Sequence, residues 1–459
     1  MFLGKWDLAH ARMATIYVAF FWSIGIMSIA NPSVWGQEEE EDPLLQMVVE
    51  LVSDTDRDMR ALGLQQVREE APGEAATKNF VELLPKLATD AQADLLEALG
   101  ERGDVAARPK VLEMVDGKEE VVRIASLRAL GGLGSAAEVS LLAKCAASGS
   151  DNEKSAALQS LVRLRGDDVN KAIVAGMSDA ETPVRVALLG VLADRNAKEA
   201  LSSVLDSAKG TEPSVRLAAT KALRYLADES NTAAIVDLLK VAKGDAERGQ
   251  TELALLVVCS RGREKCAEAI VAGLDDADAS ARIALLHALA RAGGADSLAA
   301  IVERLKDDDE AVQDEAVRML SAWPDPAVKS NLMDLAEKDN PRHQVLAIRG
   351  LVRLAGPQED QPADIETLSK VMDMAKRPQE KRLVIGVLGG IATSESLALA
   401  MSAVSDLSIA EEAGLAAAQV AERIEDGDAD EIRTAMQKVL RFVQNRETRD
   451  RVQKVLESL

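Results

Sequence analysis

The segment VRIASLRALGGLG at residues 122–134 returns, altered but in phase, along almost the whole chain. It becomes VRVALLGVLADR at 184–195, VRLAATKALRYL at 215–226 and ARIALLHALARAGG at 281–294. Weaker copies are KSAALQSLVRLRG at 154–166, VQDEAVRMLSAW at 312–323 and HQVLAIRGLVRLAG at 343–356. The arginine of the motif, or a polar residue in its place, falls at Arg60, Gln92, Arg123, Lys154, Arg185, Arg216, Gln250, Arg282, Gln313, Gln344, Lys381 and Glu411. Most of these anchors are 31 residues apart, and the one gap of 37 holds the loop insertion GPQEDQPAD at 356–364. A partial last unit, ETRDRVQKVLESL, occupies 447–459. A unit this short cannot cover its own apolar face, so it must stack on the next copy.

Each copy contains a helix near its anchor, and an apolar segment precedes it, such as VLEMV at 111–115, AIVAGM at 172–177 or AIVAGL at 269–274. Two helices per unit make a helical hairpin. Counted from Arg123, offsets two, three, six, seven and ten are Ala125, Ser126, Ala129, Leu130 and Leu133, which gather on one face of a helix. Hydrophobic residues make up 47% of the chain but aromatic ones only 2%, so the core is built from small and branched aliphatics that let helices approach closely. The expected fold is all-α, a right-handed α-solenoid of about 12–13 stacked hairpins, running without a domain break over residues 45–459. Gly131, Gly132 and Gly134 are expected at a helix end, where positive φ is needed. They are not a phosphate loop, because GGLGS lacks the following Lys-Ser/Thr and comes after a helix.

The turn acid, the Val-Arg pair, two small residues, then Ala-Leu-Gly and Leu-Gly at residues 122–134 resemble the HEAT-repeat family, particularly the short form seen in phycobilisome-lyase-like proteins. The resemblance covers nearly all of 45–459. It implies that Asp54 with Arg60, Asp179 with Arg185, and Asp276 with Arg282, each pair six residues apart, form a structural ladder that fixes how repeats stack. It also implies that the second helices line a concave surface. Arrays of this kind serve as scaffolds, receptors, inhibitors and chaperones, so the resemblance specifies fold far more than function. The iron-binding His-Glu pairs of the family's hydroxylase relatives are absent from the sequence.

Offsets five and nine from the anchor are four residues apart, hence neighbours on the exposed side of the second helix. In successive repeats they hold Arg128, then Gln159 and Arg163, Lys221 and Tyr225, His287 and Arg291, Arg318, and Arg349 and Arg353. Asp194 interrupts the row, and the first two repeats carry Gln65, Glu69, Glu97 and Glu101 instead. The whole chain has a formal charge of −22. A basic strip on so acidic a chain suggests a groove for an acidic peptide or protein segment. The plainer reading is a solvated face, since arginine near a helix carboxyl end is favoured by the dipole alone. The overall charge repels phosphates, which argues against nucleic acid as a partner.

At the amino terminus a weakly basic stretch precedes the uncharged run MATIYVAFFWSIGIMSIA at 13–30, then Asn31-Pro32, and Val34-Trp35-Gly36 ahead of an acid run. Residues 1–36 read as a secretory signal peptide or an uncleaved amino-terminal anchor, and 37–44 as an acidic linker. The chain is therefore expected to be exported, periplasmic or extracellular, with no membrane contact once the signal is removed. Removing 1–36, which hold Lys5 and Arg12 against Asp7, leaves −23. Cys145, Cys259 and Cys266 are an odd number and no disulfide framework. Cys259 and Cys266 are placed either to pair across a helix turn or to serve as small buried residues.

No catalytic, metal or cofactor constellation is legible. His287 and His343 lack His-x-x-x-His or His-Glu spacing, and no Gly-x-Ser-x-Gly elbow, phosphate loop or Cys-His pairing occurs. Past residue 36 and its neighbours the aromatics are Phe80, Tyr225, Trp323 and Phe442, too sparse for a stacking platform. Trp323, followed by Pro324, is expected to pack at a helix end. The expected function is an exported scaffold binding a protein partner along its concave face. The alternatives are a lyase-like or accessory subunit of an enzyme complex, and a structural envelope component.

Overall fold

A computed structural model describes residues 43–69, 73–358, 361–425 and 427–459. The expected export segment at 1–36 and most of the acidic linker lie outside the described residues. Among the described residues no helix is long and apolar enough to cross a membrane. The described residues form a succession of α-hairpins with no strand among them, so odd-numbered helices are first and even-numbered helices second in each hairpin. Chain contacts divide it into two units, Met1–Pro72 and Gly73–Leu459.

The described part of the first unit is one hairpin, α1 (Pro43–Val52) and α2 (Arg57–Glu69). Gly63 lets the two helices touch, because a Cβ there would lie 2.7 Å from the main-chain nitrogen of Val52. The second unit begins with α3 (Glu74–Leu83) and runs to α26 (Arg446–Ser458). Its second helices are α4 (Thr89–Arg102), α6 (Glu120–Leu133), α8 (Asp151–Arg163), α10 (Thr182–Asp194), α12 (Pro213–Leu226) and α14 (Asp245–Gly262). They continue as α16 (Ala279–Ala292), α18 (Glu310–Ala322), α20 (Pro341–Ala355), α22 (Pro378–Leu388), α24 (Ala410–Ala421) and α26. Within this unit consecutive second helices pack on one another, and first helices pack against them.

Ten of the twelve anchors are the fourth residue of their second helix, so the repeat motif marks the helix start closely. In several repeats the side chain four positions before the anchor caps the helix. Asp278 accepts from Ala281 N at 2.7 Å, Asp309 from Ala311 N at 2.9 Å and Asn340 from Arg342 N at 3.1 Å. Ser150 forms a capping box with Glu153, whose Oε2 accepts from Ser150 N at 2.8 Å. These side chains take up amide groups that have no partner inside the helix. The buried faces carry Ala125, Ala129, Leu130 and Leu133 in α6 and Ala284, Leu285, Ala288 and Leu289 in α16, as the offsets require.

Two details differ from the sequence reading. Gly131 and Gly132 lie inside α6, and Gly134 ends it with φ −80°, so none of the three needs a left-handed backbone. Their reason is contact. A Cβ on Gly132 would fall 2.0 Å from the carbonyl oxygen of Gly100, and one on Gly100 would fall 2.5 Å from Cα of Ala129, so α4 and α6 meet backbone to backbone. The second difference is α14, which starts at Asp245, two residues before the start that an anchor at Gln250 requires. Its buried residues are Thr251, Ala254, Leu255, Val258 and Cys259, so the positions five and nine after Gln250 face the core. Arg248, not Gln250, makes the forward acid contact of this repeat, to Asp278 at 3.5 Å.

Candidate functional site

The anchors form a ladder, but with other rungs than the expected aspartates. Seven of the anchor side chains fold back over the preceding turn and donate to main-chain carbonyls. Arg123 reaches Gly117 O (3.0 Å) and Lys118 O (2.8 Å), Arg216 reaches Gly210 O (3.2 Å) and Thr211 O (2.7 Å), and Arg282 reaches Ala277 O (3.4 Å). Arg60 meets Asp54 through the main-chain oxygen, at 3.3 Å. The glutamine anchors do the same, Gln92 to Leu87 O at 3.1 Å and Gln313 to Asp307 O at 2.6 Å, which explains why glutamine replaces arginine there. The opposite edge of the guanidinium reaches forward to an acid of the next repeat. Arg123 pairs with Glu153 (2.6 Å), Arg216 with Glu247 (2.7 Å) and Arg282 with Asp308 (2.8 Å). Arg216 beside Glu247 holds that carboxyl below its ordinary range. The aspartates expected as partners are used elsewhere. Asp276 takes Lys240 at 2.8 Å, and Asp179 borders a groove with no bond to Arg185. A side chain on a helix's first turn lies closer to the carbonyls just before it than to a carboxylate six residues back.

A second ladder, absent from the sequence reading, ties the opposite helix ends. Arg195 donates through Nη1 to Leu161 O (3.0 Å), Val162 O (2.7 Å) and Leu164 O (2.9 Å), the last turn of α8. Arg261 reaches Arg224 O (2.9 Å) and Ala227 O (3.0 Å) at the end of α12, and Arg353 reaches Ser321 O (3.2 Å) and Trp323 O (2.5 Å) at the end of α18. Arg423 caps α22 through Gly389 O. The last carbonyls of a helix lack internal donors and carry the negative end of its dipole, so a guanidinium from the next repeat suits them doubly. The signal in the sequence is an arginine in, or just past, the last turn of a second helix. Arg353, expected in the basic strip, belongs to this ladder as well. Trp323 is buried at the end of α18, as expected.

The remaining strip residues divide into engaged and unengaged. Arg128 pairs with Glu97 of α4 at 2.8 Å, and with Glu101 and Arg163 they line a shallow cavity of about 240 Å³. Tyr225 is 56% exposed, with the Arg224 guanidinium 5.7 Å from its ring. His287 is held between carboxylates of two neighbouring helices, Nδ1 to Glu252 at 2.5 Å and Nε2 to Glu315 at 2.7 Å. The hydrogen bond with Glu252, then that with Glu315, raises its pKa to about 9. Arg318 pairs with the same Glu315. Arg163, Lys221, Arg291 and Arg349 are exposed and, among the described residues, have no hydrogen bond or ion pair. They stand on α8, α12, α16 and α20, every second helix of the row.

Among the described residues no group of three or more His, Cys, Asp or Glu side chains is arranged to hold a metal. All three cysteines are free thiols, and Cys259 and Cys266 are both buried. Burial, and after it the neighbouring Cys266, pushes the Cys259 thiol far up.

The fold and both ladders define an α-solenoid of hairpin repeats. The family model for HEAT repeats matches residues 77–162, 267–351 and 298–383, and the chain is a HEAT-repeat protein. That match does not separate out the phycobilisome-lyase-like short form. No curated protein matches the chain significantly. Among solved structures it is similar to the karyopherin Kap121p bound to the extreme C-terminus of the protein phosphatase Cdc14p, with TM-score 0.50, 13% identity, and 90% of this chain and 53% of that one covered. Kap121p bound to Nup53p gives TM-score 0.50, 14% identity, and coverage of 92% and 53%. The chain thus spans about half the length of Kap121p, and at this identity the likeness concerns the fold alone.

Proposed function

We propose that this HEAT-repeat protein is an interaction scaffold that takes an acidic segment of a protein partner along the exposed side of its second helices. The observation that carries the reading is the set Arg163, Lys221, Arg291 and Arg349. Four exposed cations without acid partners recur on alternate helices of one row, in a chain whose net charge is −22. The cations around them are spoken for by carbonyls or carboxylates, so these four are what the row offers a visitor. The Kap121p neighbours are seen with protein segments bound, which supports the use of such a stack as a docking surface. The amino-terminal segment supports export, and we place the scaffold outside the cytoplasm. Intact-mass measurement of the secreted chain tests that placement, with cleavage after Gly36 the expected result.

The partner reading is tested by affinity purification with the wild-type chain and a variant carrying Arg163, Lys221, Arg291 and Arg349 all as glutamate. A stoichiometric partner should come down with the wild type and be lost from the variant. A control variant with Lys110 and Lys144 reversed, both on first helices, should keep it. Equal recovery with all three chains would remove the row from consideration.

A further inference from the structure

The anchor ladder has a rule that the next repeat enforces. Where a glutamate stands one residue before the next anchor, it closes the Nε edge of the preceding arginine. Glu153, just before Lys154, accepts from Arg123 Nε at 2.6 Å, and Glu247, just before Arg248, accepts from Arg216 Nε at 2.7 Å. In three other steps that position is apolar: Val215 after Arg185, Ala281 after Arg248 and Val312 after Arg282. In all three the arginine Nε is buried with no protein acceptor among the described residues. Arg248 and Arg282 still reach an acid through Nη2, Asp278 at 3.5 Å and Asp308 at 2.8 Å. Arg185 reaches none, and donates to no carbonyl of its own turn.

Arg185 is also the anchor that borders a cavity. A space of about 280 Å³ lies between the ends of α9 (Val169–Met177) and α11 (Leu201–Ala208) and the start of α12. Arg185 and Val215 both line it, together with the hydroxyls of Ser178, Ser203 and Thr211. The residue standing where glutamate stands in the closed steps thus shares this recess with the arginine whose Nε is unclosed.

We propose that this recess binds a single carboxylate carried on a short aliphatic arm, which seats on Nε of Arg185 as Glu153 seats on Arg123. A buried guanidinium N–H without an acceptor costs free energy that a side-on carboxylate recovers through a charge-assisted bond. Asp206 and Glu212 on the lining select the class of ligand. Their charge disfavours phosphate, sulfate and other multiply charged anions and leaves a monoanion whose arm fills the apolar part against Val174, Met177 and Val215. The carboxylate comes either from an aspartate or glutamate side chain of a protein or from a free acid of the same form. The site lies on the turn edge of the repeats and uses none of the cations on the second-helix row.

The test follows arginine Nε–H resonances in the full chain labelled with nitrogen-15 arginine, the Arg185 signal being assigned from Arg185→Gln. Propionate and acetyl-glutamate-amide are the two probes. Saturable movement of the Arg185 resonance is expected while those of Arg123 and Arg216, closed from within, stay in place. Saturation by the capped glutamate alone points to a protein side chain, and saturation by both shows that a free acid suffices. Val215→Glu should move the Arg185 resonance without any probe, end the titration and raise the melting temperature. An Arg185 signal that stays still, or that drifts linearly with every other arginine, overturns the proposal.

Discussion

His287 sits between two carboxylates supplied by the helices on either side of its own, so its charge belongs to three repeats at once. Its pKa is raised from 6.5 to about 9, by Glu252 first and Glu315 second. A group whose pKa is higher folded than unfolded stabilises the fold fully below the unfolded value and loses that contribution as pH rises through the folded one. The window here runs from 6.5 to about 9. Melting temperature should fall across that window in the wild type and fall less in His287→Gln. Parallel curves for the two chains would show that the histidine does not hold the three helices together through its charge. The sequence made the position of His287 legible and its role illegible. Offset five marks it as exposed, but its partners are 35 and 28 residues away, and only the stacking register brings them within reach. The same holds for Arg353 and Arg291. Both occupy offset nine, yet one caps the helix before it and the other projects from the surface.

At the scale of the helix, close approach rather than turn geometry explains the glycine cluster. Gly132→Ala would drive a methyl group into the Gly100 carbonyl of α4, and neither backbone can move without shifting its whole helix. Overpacking of this kind costs about 1–3 kcal/mol, and a clash with backbone belongs at the upper end. Urea denaturation should show that loss for Gly132→Ala, whereas Gly190→Ala, at an exposed position of α10 with open space around its Cβ, should gain slightly from helix propensity. Equal stability for both would mean that α4 and α6 are not in backbone contact. Helix starts were readable because the anchor recurs in phase, three residues after the first residue of ten second helices. The phase of α14 was not, since Arg248 and Gln250 are both polar and two residues apart, and only the buried set tells which of them stands at the anchor. Gln250 satisfied the spacing, and only the burial of Leu255 and Cys259 reveals Arg248 as the working anchor.

Across the whole molecule the balance is 76 acids against 54 lysines and arginines, and the two ladders consume many of the cations. The Arg216–Glu247 rung is sheltered, its side chains being 7% and 14% exposed, and salt screens a sheltered pair weakly. Repulsion among the excess acids acts through solvent, where the Debye length shrinks from about 30 Å at 0.01 M to about 8 Å at 0.15 M. Added sodium chloride should therefore raise the melting temperature of the free chain. Docking on the second-helix row should respond in the opposite sense. Arg163, Lys221, Arg291 and Arg349 attract an acidic segment through the same solvent, against the field of the chain's own net charge of −22. Binding measured by calorimetry should weaken as salt rises, and the weakening should be smaller in a chain where two of the four cations are made glutamine. The pair of slopes separates the two electrostatic systems. A melting temperature that fell with salt would assign the fold's stability to exposed ion pairs, and a salt-independent affinity would assign docking to apolar contacts instead of these four charges.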